Sequence, residues 1–265
     1  MPYFFLLALL LTGTSSYAQT EPKPTSFHFE LDFFLTRPTM VRADNDLKNR
    51  VEKGGAISFA MRRNLSPQLS LEAGLGVQFL GLRQRKEDLL FGCNLPPEFG
   101  GDNAPSSYLD ATVALTSATV HVAPIFHLEG DRDGVYLKPK LRFNYNIGDT
   151  VDGDLHECGR DEGTAINVGS VTARKLTLFP GIGFGYQGEN ENGKFSYIEV
   201  NFAMSAGKTF TKEAGGPAEP IGFWQEGGAM LGGVTIGWQI GGGTKKKKRM
   251  KKVQPAPEPG YYFFQ

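Results

Sequence analysis

Residues 134–148 read GVYLKPKLRFNYNIG, and the order of apolar and polar side chains in this stretch decides the fold. The odd positions are Val135, Leu137, Pro139, Leu141, Phe143, Tyr145 and Ile147, apolar or amphipathic throughout. The even positions are Tyr136, Lys138, Lys140, Arg142, Asn144 and Asn146, three of them cationic. Successive side chains of a strand point to opposite faces, so the pattern predicts one strand with an apolar face and a charged face. Strands in soluble sheets run about five or six residues. A stretch this long instead suits a tilted strand crossing a bilayer, about 9–11 residues plus extensions.

The same alternation recurs on either side. In residues 26–36, Phe27, Phe29, Leu31, Phe33 and Leu35 share one face, and His28, Glu30 and Asp32 the other. Residues 55–63 set Ile57, Phe59 and Met61 against Ser58, Ala60 and Arg62. Residues 68–83 set Leu69, Leu71, Leu75, Val77 and Phe79 against Ser70, Glu72 and Gln78. Residues 111–129, 171–187, 195–208 and 225–240 repeat the pattern. Between them, the stretches at 64–67, 130–134 and 188–194 carry turn residues, the last with an Asn192-Gly193 hairpin signal. The other connections, 37–53, 84–110, 149–170 and 209–224, are long and polar. Long and short connections therefore alternate strictly, with the short ones on the side of both termini. The expectation is an all-β fold: an eight-stranded antiparallel up-and-down transmembrane β-barrel with short periplasmic turns and long extracellular loops.

The ends of the chain read differently from its body. Residues 4–11 (FFLLALLL) form a short apolar core followed by Ser16-Tyr17-Ala18, a small-x-small cleavage pattern. Residues 1–18 are accordingly expected to be an export signal, with 19–25 a short periplasmic lead-in, 26–240 the barrel and 241–265 a periplasmic tail. The chain holds 28 Lys+Arg and 28 Asp+Glu. Seven of the cations are Lys245, Lys246, Lys247, Lys248, Arg249, Lys251 and Lys252; without them 21 basic residues face 28 acidic ones, a net charge of −7. A mildly acidic body argues against nucleic acid as a partner. The basic run reads as a solvated tail beside Pro255, Pro257 and Pro259, or as a contact with anionic phospholipid or the cell-wall polymer.

The export signal, the alternating strands and the long–short rhythm resemble the small outer-membrane β-barrels of Gram-negative bacteria, the OmpA/OmpX-like porin-family barrel domain, over residues 26–240. The resemblance implies an outer-membrane location and contact with outer-membrane lipid and lipopolysaccharide. Barrels of that kind commonly end on an aromatic residue of the last strand, whereas here a tail runs on from Trp238 and Ile240 to Tyr261-Tyr262-Phe263-Phe264-Gln265.

A lipocalin-like soluble barrel also has about eight strands, and alternation alone leaves open which face is inside. Charge balance points one way. Glu30, Asp32, Glu72 and Glu199 share the polar face with Lys138, Lys140, Arg142 and Lys175, four acids to four bases. A barrel of about eight strands is just filled by its side chains, and pairing is the condition for burying charge. The polar face is therefore expected inside, as a paired network that plugs the barrel, and the apolar face toward lipid. Pro124, Pro139 and Pro180 cannot donate to a ladder; a bulge is expected where Pro124 comes opposite Pro139.

Cys93 and Cys158, the only cysteines, fall in successive long loops, and a disulfide between them is expected in an oxidising exported setting. His156 with Cys158 lacks a second pair at zinc spacing, so no metal and no cofactor is assigned. The carboxylates at Asp149, Asp152, Asp154, Glu157, Asp161 and Glu162 do not follow a calcium-loop signature and read as a solvated acidic loop. Gly181-Ile182-Gly183-Phe184-Gly185 lies inside a strand pattern and reads as inward glycines making room rather than a nucleotide fingerprint. His121 and His127, with Ser117 and Glu129 nearby, are candidates for lipid chemistry, but strand spacing keeps the four from meeting at one His. The reading is a monomeric, non-enzymatic barrel whose exposed loops serve envelope integrity, adhesion or surface recognition. The alternatives are a lipid A-modifying enzyme and a soluble periplasmic ligand-binding barrel.

Overall fold

The computed structural model describes residues 25–40, 47–89, 107–129, 133–156, 163–166, 171–190, 192–212 and 227–242. The stretch at 1–18 read as an export signal, both cysteines and the basic run at 245–252 lie outside the described residues.

Among the described residues the strands are β1 Thr25–Met40, β2 Leu47–Arg50, β3 Glu52–Asn64, β4 Leu69–Leu89, β5 Ser107–His127, β6 Gly134–His156, β7 Thr164–Ala165, β8 Val171–Ala173, β9 Leu176–Glu189, β10 Phe195–Met204, β11 Phe210–Lys212 and β12 Gly227–Gly242. Eight of them form a ring in the order β1-β3-β4-β5-β6-β9-β10-β12, and β12 pairs back onto β1. Every pairing around the ring is antiparallel. Closure leaves the ring no free edge, so the staves pair with one another on both sides. The short strands β2, β7, β8 and β11 lie within the long connections and extend the wall at the far end from the termini.

Local chemistry fixes the short turns. The Asn190 side-chain oxygen accepts hydrogen bonds from the backbone N–H groups of Asn192 and Lys194, both at 3.0 Å. Gly193 takes φ 75°, the left-handed region a side chain disfavours, which is why glycine follows asparagine there.

Three features of the ladder depart from the sequence reading. Pro124 does stand opposite Pro139, but the register is the same on both sides of them, Val122 with Leu141 and Phe126 with Leu137. The prolines interrupt the ladder without inserting a residue, so there is no bulge. The shift in this pair lies instead between Thr116 and Ser117, which face Gly148 and Asn146 and leave Ile147 as the extra residue. Beyond Ile147 the parity of β6 swaps, and Gly153 is buried between exposed Asp152 and Asp154. Finally, β4, β5 and β6 run far into the segments read as loops, because each polar outer half is held by its neighbour's ladder.

The face that looks outward is apolar through the middle of the ring. Leu75 and Val200 are 65% and 64% exposed, with Phe33, Phe59, Phe184 and Ile198 around them. Large apolar groups this exposed on every stave form a continuous belt, which belongs in a bilayer rather than in water. Inside, the filling comes in two tiers. The half nearer the termini is polar: Glu30, Glu72, Lys138, Arg62, His121 and Gln78 are buried. The far half is an apolar core of Phe34, Leu80, Leu82, Leu109, Val113, Leu115, Phe179, Phe210 and Leu231. The outward face changes in the opposite sense. On β4, Leu75, Val77 and Phe79 are followed on the same face by Arg83, Arg85 and Glu87. The barrel is thus polar inside and apolar outside within the belt, and the reverse above it.

Candidate functional site: the paired interior and the outer rim

The interior network is built around Lys138 on β6. Its Nζ lies 3.0 Å from Glu30 Oε1, 2.7 Å from Glu72 Oε1 and 3.4 Å from Glu199 Oε2. These carboxylates come from β1, β4 and β10, and other groups hold the second oxygens of Glu30 and Glu72. Arg62 donates to Glu72 Oε2 through Nη2 at 2.8 Å and Nε at 3.1 Å. Ser58 donates to Glu30 at 2.9 Å, Tyr197 to Glu30 at 2.5 Å and Tyr136 to Glu199 at 3.1 Å. One layer further out, Arg142 pairs with Asp32 at 2.5 Å, and Thr235 donates to the other Asp32 oxygen. Lys140 Nζ stands 3.7 Å from Glu199 Oε1 beside a cavity of about 20 Å³ lined in part by Gly181, Gly183 and Asn201, room for about one water molecule.

Among the described residues the charges that meet here are thus Glu30, Asp32, Glu72 and Glu199 with Arg62, Lys138, Lys140 and Arg142. Lys175 is not one of them. It is exposed on the bend before β9, where its carbonyl accepts from the Asn146 amide. Its parity is inward, but it lies where β6 and β9 part, so its side chain turns to solvent. The fourth cation is Arg62, which sits directly opposite Glu72 across the turn at 65–68. That pairing was not legible from the turn, since counting outward from Asn64–Pro67 sets Arg62 opposite Leu69, whereas the ladder is centred on Pro67.

Glycines make the room. A Cβ at Gly74 would lie 2.4 Å from the His121 ring, one at Gly183 2.5 Å from the Glu199 carboxylate and one at Gly237 2.1 Å from the Tyr197 ring.

His121 Nε2 lies 3.4 Å from Glu72 and 3.7 Å from Glu30. Glu30, Glu72 and His121 have metal-ligand types within reach of one ion, but the Lys138 ammonium already stands among the same carboxylates. His127 meets Ser70, whose Oγ is 3.0 Å from His127 Nε2 and donates to Asn64 Oδ1 at 2.8 Å. All three side chains are buried, so no substrate carbonyl reaches that serine. Ser117 stands opposite Gln78 and Asn146 in the ladder, and Glu129 is exposed in the turn after β5.

The outer rim carries a second set of charges, above the belt. Arg83 and Arg85 converge on Asp110 at 2.5 and 2.8 Å. The Arg85 guanidinium also lies 3.9 Å over the Tyr108 ring, which stacks on His156 at 4.5 Å. Partial burial pushes the Asp110 carboxyl up, but hydrogen bonds from Arg85 and Arg83 outweigh it and hold the group below its ordinary value. Glu87, bonded by Lys48 and by Arg50, is likewise held down.

No family model matches the sequence, and no curated protein matches it. Solved structures with similar architecture include Ail, the attachment invasion locus protein of Yersinia pestis, described in complex with the heparin analogue sucrose octasulfate. It is 12% identical, with 82% of this chain and 99% of that chain covered and a TM-score of 0.35. Neisserial surface protein A (NspA) is 10% identical, with 80% and 97% covered and a TM-score of 0.31. Likeness at this level adds nothing to what the strands themselves establish. A closed ring of eight antiparallel strands, an apolar belt on every stave and an interior of paired charges are together the design of a membrane-spanning barrel. The chain is a closed eight-stranded antiparallel β-barrel with the apolar outer belt of a membrane-spanning wall.

Proposed function

We propose that this is a plugged, non-catalytic barrel whose work is done by what it displays outside the membrane, in envelope integrity, adhesion or surface recognition. The observation that carries the reading is the two-tier interior. A network of paired charges fills the half nearer the termini, and an apolar core of Phe34, Leu82, Phe179 and Leu231 closes the far half. A solute crossing the barrel has to break the ion pairs and then pass through a dry layer, each with a large cost. Loops on a rigid scaffold are where such proteins carry specificity. The cysteines Cys93 and Cys158, if bridged, tie two of those loops together, and the basic tail at 245–252 supplies a periplasmic contact with anionic lipid or cell-wall polymer.

The test is conductance and solute uptake after refolding into vesicles. The reading expects no steady open channel and no sugar-driven swelling, while a stable conductance overturns the plug. Profiling lipid A from cells expressing wild type and a His121→Ala/His127→Ala double variant addresses catalysis. Acylation that changes with wild type and not with the variant establishes an enzyme and sinks the non-catalytic reading.

A further inference from the structure

The cations of the interior are not all held in the same way. Arg62 bonds Glu72, Arg142 bonds Asp32, and Lys138 stands among three carboxylates. Lys140 makes no hydrogen bond among the described residues, although its Nζ is buried. Its side chain is 9% exposed, and the Nζ stops 3.7 Å from Glu199 Oε1, too far for a direct hydrogen bond. That oxygen has no hydrogen-bond partner among the described residues either, while Glu199 Oε2 accepts from Tyr136. An ammonium with three donors therefore faces an unused carboxylate oxygen, at a separation that asks for something between them.

The cavity of about 20 Å³ lies where the two groups face each other, at the joint between the tiers. Lys140, Glu199 and Asn201 line its polar side, and Phe34, Phe179 and Leu231 of the apolar core line the other. Asn201 commits its Nδ2 to Thr235 Oγ1 at 2.6 Å, which leaves the amide oxygen as an acceptor. Size and charge select what fits. A cavity needs about 10–15 Å³ and two to four polar partners to hold a water molecule, and this one offers three. A metal ion is refused by the Lys140 ammonium, and an anion by the Glu199 carboxylate. A neutral molecule that both donates and accepts suits both neighbours.

We infer that a single water molecule is a constitutive member of the interior network, accepting from Lys140 Nζ and donating to Glu199 Oε1 and to the Asn201 amide oxygen. It turns a contact that is too long into a bridge, so the fourth cation is satisfied and the polar tier seals against the apolar one. The inference rests on the plugged reading above, because only a sealed interior holds this molecule apart from bulk water.

The experiment refolds the full isotope-labelled chain into phosphatidylcholine nanodiscs and records water-to-amide NOE and ROE spectra. Long-lived cross-peaks from water to the Gly181 and Gly183 amides are expected. They should vanish in Ala203→Val, whose added methyl groups fill the cavity from β10. Ala203→Val should also lower the temperature at which the compact unboiled form is lost on a gel by about 5 °C, since it strands both polar groups. Ala203→Thr has the same shape, but its hydroxyl takes over bonds of the displaced molecule, so it is expected to stay near wild type. No cross-peak at the two glycines overturns the inference. So does Ala203→Val as stable as wild type, the behaviour of a dry void improved by filling, or as stable as Ala203→Thr, which leaves bulk alone as the cost. Cross-peaks at the Glu72 and Lys138 amides together with a steady conductance report an open wet lumen. That distinguishable result fails the plugged reading, and this inference with it.

Discussion

Lys138 Nζ lies 2.7 Å from Glu72 Oε1, although β5 separates their two strands and both side chains are completely buried. The same ammonium reaches Glu30 and Glu199, so one cation stands at the convergence of three carboxylates from three other staves. Removing it is expected to be the most damaging single change in the network. Lys138→Met should cost about 3–5 kcal/mol, the usual penalty for leaving buried charge uncompensated. The double variant Lys138→Met/Glu72→Gln should recover part of it, and urea unfolding in vesicles reads both. A single variant as stable as wild type sinks the account.

Glycines of β12 should divide by the face they occupy. Gly237→Ala pushes a methyl into the Tyr197 ring and is expected to cost about 1–3 kcal/mol. Gly232→Ala meets no atom closer than 4.0 Å and is expected to be nearly neutral. Equal effects of the two in the same unfolding assay would contradict the packing described above.

The belt makes a directional claim about Val200. Placing a charge mid-run on the lipid face, as Val200→Arg, is expected to cost about 2–4 kcal/mol, whereas Thr150→Arg, exposed above the belt on β6, should cost little. Folding yield into vesicles compares them, and a tolerated Val200→Arg would place that face in water.

At the outer rim, acid should loosen what neutral pH holds. Asp110 titrates below its ordinary value because Arg85 and Arg83 hold the carboxylate. A carboxyl with a depressed folded-state value adds stability above the unfolded value, about 3.9, and loses it as pH falls through the folded one. Amide exchange in the outer halves of β4 and β5 is therefore expected to quicken below about pH 4. Asp110→Asn should remove that acid-dependent change while exchanging faster at pH 7. An exchange profile in the variant identical to wild type at both pH values counts against the pairing.

How much of this was legible beforehand follows from the range of each signal. Alternation is a period-two, local property, so Val135 to Tyr145 declared a strand and its two faces without help from the rest of the chain. Turn chemistry is equally local, as at Asn192-Gly193. Charge balance on the polar face then argued for lipid outside, and Val200 and Leu75 do face outward while Glu72 and Lys138 face in. The sequence by itself therefore determined the strands, their rhythm and the sense of the wall within the membrane.

Ring closure decided the rest. Which cation meets which acid depends on how the staves are sheared, and that brought Arg62 to Glu72 and left Lys175 in solvent. The extra residue at Ile147 reversed the parity of β6, so the sense of the alternation could not be carried past it from either end. The apolar upper tier has the same cause. Leu80, Leu82, Val113 and Leu115 lie on the inward parity of strands whose lower halves are polar inside, and only the closed ring gathers them against Phe34, Phe179 and Leu231.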